Sequence, residues 1–337
     1  MKPKDLGEFG LIAKLQSKLK HRSPQILKSI GDDCSVFKPN KDRHIISTCD
    51  ALVETVHFEL KSTSPEVLGQ KAMAVNLSDI AAMGGSPKFA LITLGVSPNL
   101  PSKFLDKFYS GMNTASKKYG FSIVGGDTVQ SPKHFFVNVT LVGEVKKDRW
   151  FSREGAKPGD KIFVTGCLGD SALGLKILQS TKKLSVSQKS KKYLISRHLN
   201  PTPRIEEAQF LVDSNAQVTA AIDVSDGLIQ DLGHILQASE VGAKIDENSV
   251  PASPELKKVC KTHKLSKRPL LFSGGEDYEL LFTLRPENAK KLVSRFLKRG
   301  MPLTEIGEIT SPVGEVLLEK ENGKIEDGSC FKGYNHF

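Results

Sequence analysis

The sequence lacks any apolar run approaching the roughly 20 residues that span a bilayer, so no membrane-crossing role is expected of its 337 residues. It also lacks a secretory pattern: "MKPKDLGEFGLIAKL" starts charged but has no continuous apolar core or small-residue cleavage site, and a cytoplasmic protein is expected. Cysteine is scarce. Cys34, Cys49, Cys167, Cys260 and Cys330 are odd in number, widely spaced and without a CxxC pair, which excludes a disulfide framework and a zinc cluster and leaves reduced thiols. Missing too are the common phosphate-binding signatures: there is no GxxxxGK[ST], no GxGxxG, and neither an HRD nor a DFG kinase motif.

Negative charge is the minority sign, with 38 Asp plus Glu against 48 Lys plus Arg and a net charge of +10. That excess raises the question of nucleic acid, because clustered basic residues neutralise phosphates. The lysines are dispersed, however, and the densest runs, "SVSQKSKKYLISRH" and "ELKKVCKTHKLSKR", carry neither an RNA-binding aromatic motif nor zinc-finger spacing. They read as solvated surface. Helices expected over 203–214 and 226–240 are separated by a strand, which excludes a helix-turn-helix.

What the chain does have is alternation of strand-like and helical segments. In the first half "HIISTCD", "KFALITLGV", "FSIVGG" and "FFVNVTLVGEV" read as strands, with helices from Ser64 to Met83 and Ser102 to Tyr119 between them. Ser64 is the expected N-cap of the first helix, Pro65 its first turn and Gly84-Gly85 its stop. A Pro-Gly turn in "DRWFSREGAKPGD" precedes the strand "KIFVTG", placing a boundary near residue 150 between a 1–150 unit and a 151–337 unit. The second unit alternates again: "GDSALGLKILQS" helical, "VTAAIDV" a strand, and "PLLFSGGEDYELLFTL" a strand, loop and strand. The fold class is α+β.

Acidic residues recur at segment ends and beside glycines: Asp32 and Asp33 in "SIGDDCSVF", Asp50 in "ISTCD", Asp79 in "VNLSDIAAMGG", Asp127 in "IVGGDT", and Asp223 and Asp226 in "AIDVSDGLIQDL". Each alone can form a turn, and Ser225 or Asp226 can N-cap the helix that follows. Asp79 is harder to explain so, because it falls in the C-terminal half of a helix, where the macrodipole disfavours an anion. Carboxylates without His or Cys neighbours suit hard, oxygen-seeking Mg²⁺.

The ordered set "GEFGLI", "GDDC", "STCD", "VHF", "KAMAVNLSDIAAMGG", "GGDT", "SREGAKPGD", "TGCLGDSALGL", "IDVSDGLIQDLGHI", "SGGEDYEL" and "FKGYNHF" resembles the thiamine-monophosphate kinases, from residue 7 to residue 337. The resemblance implies the two-domain architecture of aminoimidazole ribonucleotide synthetases, with an N-terminal sheet that pairs two chains into a homodimer. It implies ATP-dependent conversion of thiamine monophosphate to thiamine diphosphate by direct in-line attack, without a phosphoenzyme. By motif, Asp33, Thr48, Cys49, Asp50, Asp79, Asp127, Asp223 and Asp226 resemble the ligands of several Mg²⁺ ions. Tyr109, Gly126, Asp127, Arg153 and Ser225 match ATP-contacting positions, and His57, Glu276 and Phe331 the thiamine phosphate site. Two departures stand out: "TCD" replaces the usual "STD" or "TTD", and Phe331 takes the place of an aromatic that is commonly Trp. A thiol is a poor Mg²⁺ ligand, so Cys49 serves only through its carbonyl.

Overall fold

The computed structural model describes residues 26–28, 32–38, 42–180, 186–214 and 216–336; "GEFGLI" and Phe337 lie outside the described residues. The first half builds a sheet from β1 (Ile26–Lys28), β2 (Ser35–Phe37), β3 (Arg43–Val53), β4 (Ser86–Val96), β5 (Ser122–Gln130) and β6 (Phe136–Lys146), in the order β1-β2-β3-β6-β4-β5. Two helices cover it, α1 (Pro65–Ala82) and α2 (Ser102–Tyr119). β4 and β5 run parallel, and α2 makes the crossover that parallel neighbours require. Ser64 caps α1 as expected, accepting from the Val67 amide, and Pro65 occupies its first turn.

The second half follows as β7 (Lys161–Thr165), α3 (Asp170–Gln179), α4 (Gln188–Leu199), α5 (Ile205–Asp213), β8 (Val218–Asp223), α6 (Leu228–Ser239), β9 (Gly242–Asp246), α7 (Pro254–His263), α8 (Arg268–Phe272), β10 (Leu280–Leu284), α9 (Pro286–Lys298), β11 (Leu303–Thr310), β12 (Val316–Glu319) and β13 (Ile325–Asp327). Its sheet order is β13-β12-β9-β11-β7-β10-β8, antiparallel except for β9 with β12. One expected strand is a helix: "PLLF" forms most of α8, because Pro269 sits in the first helical turn, where its missing N–H costs nothing.

The two halves share a core. α1 lies between the sheets, so it buries Leu68, Met73, Leu77 and Ile80 together with Phe163, Phe282 and Leu280 from the second sheet. The other face of that sheet, with Ile162, Val164, Ile222 and Leu281, packs on Leu228, Leu232 and Ile235 of α6. A helix enclosed on both sides needs no polar face, which is why "KAMAVNLSDIAA" carries so little charge. The few polar residues it does carry point at the seam between the sheets.

Candidate active site

The carboxylates gather where α1 crosses the ends of β3 and β8. Oxygens of Asp33, Asp79 and Asp223 lie within 4.8 Å of one another. Period-2 alternation on β3 turns Thr48 and Asp50 toward this seam and Cys49 to the opposite face, where its thiol meets Asn138 and Thr140. Three of the acidic side chains have fixed partners. Thr48 Oγ1 donates to Asp79 Oδ2, Ser78 Oγ to Asp223 Oδ2 at 2.7 Å, and Arg153 forks onto both oxygens of Asp33, at 2.6 and 3.4 Å. The Asp50 amide donates to Asn76 Oδ1.

Burial and repulsion from neighbouring carboxylates make Asp79 and Asp223 reluctant to ionise. Asp79 is pushed well above the usual carboxylate range by burial, then by Asp50, Asp223 and Asp33. Burial and Asp33 push Asp223 up to about 8. No Lys or Arg lies in the last turn of α1 to offset Asp79. Such a set of hard oxygen donors, crowded and short of positive charge, fits a divalent cation such as Mg²⁺.

The expected helix cap is corrected. Gly227, not Ser225 or Asp226, is the N-cap of α6 and leaves the helix without a side-chain cap; Asp231 in the first turn instead reaches back to the preceding loop, where one oxygen accepts from the amides of Ser225, Asp226 and Gly227, each at 3.0 Å. A carboxylate of the helix's own first turn thus ties down the loop that carries Ser225 and Asp226. The loop holds Asp226 for another use.

Asp50, Asp79, Asp223, Ser225 and Asp226 line a cavity of about 1020 Å³. His57 and Glu276 line it further along. His57 Nδ1 accepts from the Val53 amide, so this ring carries its proton on Nε2 when neutral; burial and His336 lower its pKa. Glu276 sits at φ 61, a left-handed conformation unusual for a non-glycine residue, held by the hydrogen bond its amide donates to the Ser225 carbonyl at 2.7 Å. Its carboxylate meets the fully buried Lys71 of α1 at 2.8 Å and His198 at 3.0 Å. Burial opposes its charge, but Lys71 first and His198 next hold it at about 2.

The neighbouring acids of "SGGEDYEL" serve the scaffold. Asp277 accepts from the amides of Gly169 and Ser171 at the start of α3, and Glu279 is clamped between Arg197 and Arg204. Lys71, Ser78, Asn76 and Asp231 were missed as site residues by sequence reasoning. Polar residues inside an otherwise apolar helix were the available signal for the first three.

Phe331 does not line the cavity. Its ring packs on Phe272 at 5.0 Å between centroids, with the Arg268 guanidinium 5.2 Å away, while Tyr334, three residues on, lines the cavity with Lys332, Gly333 and His336. Tyr109, Gly126 and Asp127 also lie off it. Tyr109 packs on Phe108 in α2. Gly126, at φ 148, lies so close to β4 that a Cβ would come within 1.8 Å of the Ile92 carbonyl. Asp127 beside it is exposed on edge strand β5.

Family models of AIR synthase related proteins match this chain twice, the N-terminal domain at residues 31–145 and the C-terminal domain at residues 157–319. The thiamine-monophosphate kinase of Escherichia coli K12 is 39% identical over 98% of both chains. That of Bacillus subtilis is 37% identical over 98% of this chain and 100% of its own. The chain belongs to the thiamine-monophosphate kinase family. A solved structure of AaThiL complexed with AMPPCP and TMP superposes with a TM-score of 0.86, at 37% identity, over 100% of this chain and 99% of that one. For a member of this family, a cleft with an acidic end and an anion held beside histidines gives two chemically distinct places along one cavity.

Proposed function

We propose that this cleft carries out the family's reaction, ATP-dependent phosphorylation of thiamine monophosphate to thiamine diphosphate, by direct in-line transfer. The observation that carries the reading is the convergence of Asp33, Asp79 and Asp223, the last two lining a cavity whose wall also holds Glu276. Asp33, Asp50, Asp79, Asp223 and Asp226 would hold Mg²⁺, with Thr48 and the Cys49 carbonyl as further oxygen donors. The ion supplies charge neutralisation for the polyphosphate and for the carboxylates themselves.

The chain's own residues keep those donors in place. Arg153 fixes Asp33, Ser78 fixes Asp223 and Thr48 fixes Asp79. The acceptor is a phosphate whose second pKa is about 6, so it is a dianion at neutral pH and needs no general base. Alignment and charge stabilisation then suffice, and no nucleophilic side chain is needed. Glu276, kept anionic by Lys71 and His198, faces the cationic thiazolium; Tyr334 offers that cation an aromatic face.

ATP is assigned to Arg153 and Ser225 together with Tyr109, Gly126 and Asp127, the last three contributed at a homodimer junction. Support comes from β4 and β5. Phe89, Leu91, Val124 and Val129 are 42–56% exposed there, an apolar patch on the face of β4 and the edge strand β5 that a soluble monomer would ordinarily protect.

The test is purified protein with ATP, Mg²⁺ and thiamine monophosphate. Thiamine diphosphate should form in step with ADP and vanish with EDTA. ADP released without thiamine diphosphate would refute the assignment of acceptor.

A further inference from the structure

Gln230 lies in the first turn of α6, within "IDVSDGLIQDLGHI" but given no role so far, and its side-chain amide joins three groups. Its Nε2 donates to Asp226 Oδ2 at 3.2 Å and to the Tyr334 carbonyl at 2.8 Å. Its Oε1 accepts from the Gly333 amide at 3.1 Å. The Tyr334 amide in turn donates to the Asp226 carbonyl at 3.0 Å. The chain closes in at this point. A Cβ on Gly333 would come within 2.4 Å of the Asp226 carbonyl and 2.9 Å of Gln230, so only glycine lets the tail lie against the start of α6.

Both groups that Gln230 grips line the cavity: Asp226 at its acidic end, and Gly333 with Tyr334 and His336 along its wall. The tail has no strand or helix of its own over these residues, so its position depends on bonds of this kind. An amide is the group suited to the task. It offers donor and acceptor at once, whereas a carboxylate would lose both donations and repel Asp226, and a lysine would lose the acceptor.

We propose that Gln230 is a positioning residue, a clasp that holds the C-terminal tail as the thiamine-side wall and fixes it in register with Asp226. The inference rests on the reading that thiamine monophosphate occupies this cavity, and its first readout does not. In Gln230→Met, which keeps size and removes every hydrogen bond, hydrogen exchange of ligand-free protein should quicken by about tenfold or more at Gly333 and Tyr334, with Ala221 and Leu281 in the sheet unchanged. In Gln230→Glu the Gly333 amide should stay more protected than in the Met variant, because its acceptor survives.

The second readout is kinetic. In Gln230→Met the KM for thiamine monophosphate should rise about tenfold, with kcat and the KM for ATP changing less than about threefold. Unchanged protection at Gly333 and Tyr334 would overturn the clasp, even if the protein proved to have no kinase activity. Faster exchange with an unchanged KM for thiamine monophosphate would overturn its role in placing the substrate wall. If either variant fails to fold, the other carries the exchange comparison.

Discussion

Ser78 and Asp223 lie 145 residues apart in sequence, and the Ser78 hydroxyl donates to the Asp223 carboxylate at 2.7 Å. The bond joins a helix of the first half to the end of a strand in the second. Acidic residues from both halves can therefore converge only when the shared core around α1 is formed, which ties the site to the fold as a whole.

Asp79→Asn and Asp223→Asn should each lower turnover by about 100-fold or more at saturating Mg²⁺, since each removes an anionic oxygen from the cluster. Neither should unfold the protein. Because burial and like charges keep both carboxyls largely protonated in the metal-free protein, the thermal midpoint there should change little, while the stabilisation that Mg²⁺ gives the native protein should shrink. Asp32→Asn should be milder, because Asp32 accepts from the Ser152 hydroxyl and lies outside the three-carboxylate group. Calorimetry with and without Mg²⁺, beside the rates, separates these effects.

Glu276→Gln should raise the KM for thiamine monophosphate and destabilise the protein by about 3 kcal/mol, because Lys71 would be left buried without its anion. The pH dependence has a definite sign. The carboxyl is held at about 2 when folded, below its unfolded value, so its contribution is complete above about pH 4.5 and is lost as pH falls toward 2. Denaturant titrations at several pH values should show a constant gap between native protein and variant down to about pH 5 and a narrowing gap below it.

The tail should divide into a wall and a peg. Tyr334→Ala should weaken thiamine monophosphate binding by about 1 kcal/mol with little change in the KM for ATP. Phe331→Ala should instead cost about 1–2 kcal/mol of stability, as its half-buried ring leaves Phe272 and Arg268. A thermal midpoint that falls with Tyr334→Ala and not with Phe331→Ala would reverse this division.

Sedimentation should give twice the mass of one chain. Val124→Glu combined with Leu91→Lys, placed on the exposed faces of β5 and β4, should give a monomer of reduced activity with its circular dichroism intact. An active native monomer at micromolar concentration would contradict the assignment of Tyr109, Gly126 and Asp127 to ATP at a subunit junction.

Much of this was legible because the motifs that carry chemistry also sit at element ends. "STCD" closes on a strand that alternates strictly, so the seam-facing Asp50 and the outward Cys49 thiol follow from period two. Ser64, Pro65 and the diglycine bounded α1 for reasons of capping. Tertiary arrangements were less legible. Lys71 reads as a surface residue until α1 is seen to be enclosed between two sheets, and "PLLF" is too short for periodicity to decide between strand and helix. The tail has no period at all, so sequence could not tell that Phe331 turns inward onto Phe272 while Tyr334 faces the cavity. The same holds for Asp231, whose place in "AIDVSDGLIQDL" gave no sign that it would reach back to the loop amides of Ser225, Asp226 and Gly227.

If the cleft aligns two phosphates for one direct transfer, the configuration at the transferred phosphorus must record a single displacement. With ATP made chiral at the γ-phosphorus by oxygen isotopes, a single in-line displacement inverts the centre, and the thiamine diphosphate formed should have inverted configuration at its terminal phosphorus. Retention would mean two displacements through a phosphorylated side chain, and would contradict direct transfer.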